Sequence, residues 1–327
     1  MTKYFYCQSY QAFNLALSMN LNDEVIVITA AKNIIEACDF LKVKCIEHSP
    51  FGISDFVKRK GKIDAEVDRL IRELGNHELH FSHTQFAIFC FYLVKKLNDR
   101  NGKTVFHNFE FVYSNPNKLS LFQRNFYGVK SWQVSIAIIY KLPIVVRMST
   151  STSYMISFDL NYINNYCSQV IDDKDQYYNL TLKMFQNYSF DYPKMENLFI
   201  AQTFTNQSLF DKKKIEIVLP ILNSSNISVK NHPKLGAVKG LSKCLEMPDF
   251  IPVELFFQKV TGCIISFHST SLITASKFET VKTISLMDIV KTEDVFMVNI
   301  KKDLINKSNN RLLFPQTIHE FKEILNA

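Results

Sequence analysis

Asn226-Ile227-Ser228-Val229-Lys230-Asn231-His232-Pro233-Lys234 begins as a short run with strand character and ends in a lysine, a histidine and a proline. These fall where such a strand opens into a loop. Further along, Cys263-Ile264-Ile265-Ser266-Phe267 is a second apolar run, and it ends in His268-Ser269-Thr270-Ser271. Strands that are apolar throughout and end in polar loops belong to parallel sheets covered on both faces. In such sheets ligands bind at the carboxyl ends of the strands. One strand end here carries a cationic and proton-donating pair, the other a hydroxyl cluster. Together they suit a phosphate, and so an enzyme acting on a nucleotide-activated substrate.

Working outward, strand and helix patterns alternate on both sides of these runs. In the first half, residues 3–7, 24–29, 43–47, 78–81, 104–109 and 144–148 read as strands. Helical periodicity marks residues 10–19, 31–41, 64–74, 84–97 and 132–140 between them. The second half repeats the scheme, with strands expected at 198–202, 227–230, 262–267 and 281–285 and helices at 211–222, 253–257, 271–278 and 315–325. The middle, from Asp159 to Glu196, is rich in Asn, Asp and Tyr and reads as irregular. The chain of 327 residues is long for one core. The expectation is α/β with two facing Rossmann-like domains and a central cleft. An N-terminal domain spans 1–158, a linker 159–196, a C-terminal domain 197–310, and a last helix, 311–327, packs back toward the first domain.

Composition excludes several classes. Hydrophobic residues make up 47% and charged residues 21%, which is globular. The net charge of +7 suits a phosphorylated substrate or an anionic surface, and no nucleic-acid motif accompanies it. The clusters Lys58-Arg59-Lys60-Gly61-Lys62 and Lys212-Lys213-Lys214 read as solvated faces. Seven scattered cysteines without a C-x-x-C read as small buried residues in a reducing compartment. No leader and no apolar run of membrane-spanning length is seen, so the chain reads as cytoplasmic, with room for peripheral contact at the inner face of a bacterial inner membrane. Asp173-Lys174-Asp175 reads as a solvated loop. His77, His80 and His83 span a loop and a strand, not one helix face, so no metal is expected.

Within the candidate site, Lys230 offers three donors to a base carbonyl or phosphate. His232 can donate a proton to a leaving phosphate oxygen, and Pro233 fixes the loop that aims it. Ser269, Thr270 and Ser271 stand at a helix start, where hydroxyls, free N–H groups and the helix dipole all favour an anion. Glu254, in Phe250-Ile251-Pro252-Val253-Glu254-Leu255, is placed in the first turn of a short helix, where its carboxylate can take both hydroxyls of a ribose.

These pieces occur in the order Leu198-Phe199-Ile200-Ala201-Gln202-Thr203, Lys230-Asn231-His232-Pro233, Pro252-Val253-Glu254-Leu255, then Ser269-Thr270-Ser271. The second half thereby resembles a bacterial sialyltransferase of the two-domain GT-B kind, in particular the lipooligosaccharide sialyltransferases of glycosyltransferase family 52 and their capsule and O-antigen relatives. Tyr6-Cys7-Gln8-Ser9-Tyr10 also resembles that family's opening strand-to-helix turn. The resemblance implies a metal-independent, inverting transfer of sialic acid from CMP-sialic acid to a galactoside, with no cofactor. His232 would face the leaving CMP phosphate. Ser269, Thr270 and Ser271 would hold that phosphate, Glu254 the ribose, Lys230 the cytidine end, with Pro233, Gln202 and Thr203 in the same pocket. The acceptor, a glycan that can be lipid-linked, would lie near Gln8, Ser9 and His83. The family's base is a carboxylate of the first domain, in an acid-acid-Gly motif. Here the matching place is His107-Asn108-Phe109-Glu110-Phe111, which lacks that Gly. The base is therefore Glu110 or Asp211, and Asp211 has helix capping as its competing role. Transfer of another nonulosonate or Kdo, a nucleotide-sugar epimerase or hydrolase, and an inactive glycan-binding protein are the alternatives.

Overall fold

Val27 and Ile28, Phe5 and Tyr6, and all four residues of Asn197–Ile200 are buried, so neither face of these strands meets water. Such strands must be covered by helices on both sides, and the computed structural model has that form. It describes residues 2–19, 23–82, 88–108, 145–148, 154–157, 167–172, 177–188, 191–201, 211–224, 226–232, 240–241, 245–291 and 295–326. The chain divides into two compact units, Met1–Asn187 and Tyr188–Ala327.

The first unit is built on β1 (Thr2–Tyr6), β2 (Glu24–Thr29), β3 (Lys44–Glu47), β4 (Glu78–Ser82) and β5 (Thr104–Asn108). Its helices include α1 (Tyr10–Ser18), α2 (Lys32–Leu41), α3 (Ile53–Lys58), α4 (Lys60–Leu74) and α5 (Ile88–Asn98). A hairpin, β6 (Val145–Met148) with β7 (Tyr154–Ser157), is antiparallel and forms a separate two-stranded sheet, so the strand expected at 144–148 does not join the parallel series. The sixth strand is instead β8 (Gln169–Asp172), inside the segment that reads as irregular. The sheet order is β3-β2-β1-β4-β5-β8, parallel throughout. An edge strand of four residues needs little apolar sequence. Here Thr104 and Ser168 fix its start by exchanging side chain-to-backbone hydrogen bonds of 3.1 and 3.4 Å. The helices α6 (Tyr177–Leu182) and α7 (Met184–Asn187) follow, with Tyr177 Oη donating to Gln11 O at 3.1 Å. The first unit thus runs past residue 158 to Asn187.

On one face of this sheet Tyr4, Tyr6, Leu79, Phe81 and Phe106 pack with Val67, Leu70, Leu74 and the apolar side of α5. In the interior, His80 Nδ1 lies 2.9 Å from His107 Nε2, so one ring donates to the other. Phe5 stacks on His80 with centroids 4.7 Å apart. Burial, reinforced by the neighbouring His107, pushes His80 down to about 3. His48, stacked on Phe89 at 4.5 Å, is likewise held at about 4 by burial.

The second unit repeats the design with β9 (Asn197–Ile200), β10 (Ile227–Lys230), β11 (Leu245–Glu246), β12 (Cys263–Ser266), β13 (Lys282–Ser285) and β14 (Leu312–Leu313). Its order, β11-β10-β9-β12-β13-β14, is the same scheme of three strands laid one way and three the other. The expected α/β class with two Rossmann-like parallel sheets is what the chain adopts. Gly262 sets the register of β12. A Cβ there would fall 2.8 Å from Asn197 Oδ1 and 2.9 Å from Glu196 O, so only glycine lets the chains approach this closely. The helices are α8 (Lys212–Ser224), α9 (Ser271–Ala275), α10 (Met287–Val290), α11 (Val295–Lys307) and α12 (Ile318–Asn326), plus the 3-10 helix Val253–Lys259. At the end of β13 the buried carboxylate of Asp288 takes Lys291 Nζ at 2.7 Å, Gln316 Nε2 at 2.6 Å and Lys301 Nζ. Burial pushes Asp288 up, but these three hydrogen bonds outweigh it and hold the group below the usual carboxylate range. Among the described residues no helix is long and apolar enough to cross a membrane.

The buried imidazoles make stability acid-sensitive. The unfolded chain takes up protons near pH 6.5, whereas folded His48 and His80 resist them down to about 4 and 3. Stability is therefore full above pH 6.5 and falls as the pH drops below it. Each histidine adds a slope of about 1.4 kcal/mol per pH unit. Urea midpoints measured between pH 7 and 4.5 should fall steadily, and less steeply in His80→Gln; a flat profile would contradict this account.

Candidate functional site

In the second sheet the strand order reverses between β9 and β12, which places the ligand crevice of such a fold at their carboxyl ends. Register aligns Lys230, Ile200 and Ser266 in one row across β10, β9 and β12. Beyond that row the chain carries Asn231 and His232 on one strand and Phe267, His268, Ser269 and Thr270 on the other. The row is tied together by side chains as well as by the ladder. Ser266 Oγ donates to Ile200 O at 2.8 Å, and Ser285 Oγ donates to Phe267 O at 2.5 Å. The loop that follows is therefore aimed by a rigid support.

The polar groups past the row form a connected set. Ser271 Oγ donates to Glu254 Oε1 at 2.8 Å, and Ser271 N donates to Ser269 Oγ at 3.2 Å. One serine thus joins the carboxylate of the 3-10 helix to the hydroxyl loop. This decides which groups are open to a ligand. The Ser271 proton is engaged by Glu254. The Ser269 oxygen accepts from an N–H and keeps its own proton to donate. Glu254, itself buried, keeps Oε2 for another donor. The free N–H groups expected at this helix start are largely engaged too, because Leu272 N bonds Ser269 O at 3.1 Å and Ile273 N bonds Thr270 O at 2.9 Å. The helix is only five residues long, and its first turn closes on the loop itself. An anion here would be met by the Ser269 and Thr270 hydroxyls.

Lys230 is buried at 3% exposure. Its ammonium donates to Asp249 O at 2.9 Å and reaches Asn231 O at 3.5 Å. Burial lowers Lys230 to about 8, against the opposing pull of the Asp249 and Glu254 carboxylates. His232 is half-buried directly beyond it. Burial also holds His268, just before Ser269, at about 4, so this ring is neutral at physiological pH.

The structure links Glu254, Ser269 and Ser271 by hydrogen bonds and sets Lys230 within electrostatic reach of Glu254, while His232 and Thr270 follow the ends of β10 and β12. Asp211 stands elsewhere in its role: its Oδ1 accepts from Lys213 N at 3.0 Å, which caps α8. Gln202, Thr203, Pro233, His83 and Glu110 lie outside the described residues. In the first unit, Gln8 Nε2 donates to Tyr6 Oη at 2.8 Å, and Ser9 Oγ accepts from Ala12 N at 3.3 Å as the cap of α1. Both follow the end of β1, beside the order reversal between β1 and β4. Two groups at this strand end have no signal in the sequence: the backbone carbonyl of Asp249, and Asn231, whose buried Oδ1 has no hydrogen-bond partner among the described residues.

No family model and no curated protein matches this chain. Several solved structures are similar to it. A Listeria monocytogenes protein assigned as a UDP-N-acetylglucosamine 2-epimerase has a TM-score of 0.48 at 8% identity, covering 95% of this chain and 89% of its own. The glycosyltransferase SnogD from Streptomyces nogalater has a TM-score of 0.47 at 8% identity over 99% of this chain and 90% of its own. The E. coli heptosyltransferase WaaC with ADP has a TM-score of 0.42 at 9% identity over 87% of each chain. At these scores the chemistry of this chain is read from its own residues.

The cross-link through Ser271 predicts a stability effect. Ser271→Ala leaves a buried carboxylate oxygen without its donor, a loss of about 1–2 kcal/mol. Urea unfolding would measure it, and Ser271→Thr should recover most of the loss.

Proposed function

We propose that this protein is an inverting glycosyltransferase that moves sialic acid from CMP-sialic acid to a galactoside of a bacterial surface glycan. The observation that carries the reading is the connected set at the carboxyl ends of β10 and β12. Hydroxyl groups and a carboxylate are hydrogen-bonded to one another there, and a histidine follows the neighbouring strand end, a set of groups that suits a nucleoside phosphate. Glu254 Oε2 is suited to ribose hydroxyls. Ser269 and Thr270 are suited to the phosphate, and His232 to the bridging oxygen.

The acceptor oxygen attacks the anomeric carbon as the bond from that carbon to the phosphate oxygen breaks. Positive charge develops on the sugar and negative charge on the phosphate. His232 and the two hydroxyls stabilise the departing phosphate. A carboxylate on the opposite face accepts the acceptor proton, and attack from that face inverts the anomeric configuration. In this reading the base is Glu110, with Asp211, whose Oδ1 caps α8, as the rival. Gln8 and Ser9, with His83, would meet the acceptor, and Gln202, Thr203 and Pro233 would complete the donor pocket.

Incubation with CMP-sialic acid should release CMP slowly, and faster with lactose, yielding a sialylated product. His232→Ala should lower the transfer rate by roughly 10²–10⁴-fold while leaving the urea midpoint intact. Absence of both CMP release and transfer from this donor would refute the reading; unchanged activity in His232→Ala would remove that residue from it.

A further inference from the structure

We infer that Lys230 is a positioning residue of the nucleotide site: its ammonium holds the backbone at Asp249 and so fixes the turn that delivers Glu254. The role in ligand binding rests on the reading of this strand end as the nucleotide site; the contact itself does not.

The segment before the 3-10 helix is tied to β10 step by step. Ser228 pairs with Leu245 and Val229 with Glu246, and Met247 N donates to Val229 O at 3.0 Å. The next residue is Pro248, which has no N–H to offer a neighbouring strand. Lys230 takes over at this point. Its Nζ reaches across to Asp249 O at 2.9 Å and fastens the chain two residues beyond the last ladder bond. From there Ile251 and Pro252 are buried, Leu255 N closes on Pro252 O at 3.2 Å, and Glu254 emerges toward Ser271. A charged donor to a carbonyl is stronger than a neutral one. Among the described residues, the charged groups acting on this ammonium are the Asp249 and Glu254 carboxylates, which favour its charge while burial opposes it. The latch therefore weakens as the pH rises through about 8.

Two arms test this without relying on the identity of the donor. In the ligand-free protein, Lys230→Met should raise amide hydrogen exchange across residues 249–259 by about tenfold and leave β12 and β13 protected. In the wild-type protein, exchange of the same amides, corrected for its intrinsic pH dependence, should rise between pH 7 and 9, and the variant should show no such rise. If the variant does not fold, the wild-type series decides. With CMP and UMP as probes, the variant should weaken both by the same factor, because the lysine touches the chain and not the base. Unchanged exchange in the ligand-free variant, or a loss confined to CMP, would overturn the inference. If neither nucleotide binds the wild-type protein, the nucleotide reading fails, while the exchange result still decides whether Lys230 holds the turn.

Discussion

Parallel pairing of Asn197–Ile200 with a strand on each side is the constraint on which the second unit depends. Both faces of this strand are buried, so polar side chains on it would have to find partners in the interior. Asn197 does so by accepting from Cys263 N at 2.9 Å, and Ser266 of the neighbouring β12 is likewise satisfied by donating to Ile200 O. The remaining polar chemistry is displaced to the strand ends, where β10 and β12 leave the sheet on either side of β9. Chemistry gathers there because the interior cannot hold it.

The same constraint governs how the end groups are held. Loops that leave a buried sheet must still satisfy their backbone, and here side chains do part of that work. The hydroxyls of Ser266, Ser271 and Ser285 and the ammonium of Lys230 all reach carbonyls or carboxylates of neighbouring segments. A residue class read from sequence as ligand-binding therefore divides into two kinds. Under the proposed reading Ser269 and Thr270 offer their protons to the ligand, while Ser271 and Lys230 hold the framework.

Much of the architecture is legible in the sequence, because buried parallel strands leave dense apolar runs such as Cys263–Phe267. The strand at Gln169–Asp172 is not, since an edge position in a parallel sheet demands only Val170 and Ile171 among polar neighbours. The hairpin at Val145–Met148 carries the same apolar signal as a parallel strand, and sequence does not say which sheet receives it. The site's residue types are legible as strand ends, including the capping role weighed for Asp211. The division between holding and binding residues is not. It depends on which acceptor each proton meets, as with Lys230 and the carbonyl of a residue nineteen positions on.

The sharing of Ser271 between Glu254 and the Ser269 loop has a further consequence. The carboxylate and the hydroxyl loop are mechanically one part, since an adjustment of the carboxylate moves the serine whose backbone anchors that loop. A ligand that grips both sides orders a single element once. A ribose or a phosphate supplied separately must each order it alone. Under the proposed reading, an intact nucleoside monophosphate would therefore bind more strongly than the sum of its fragments allows.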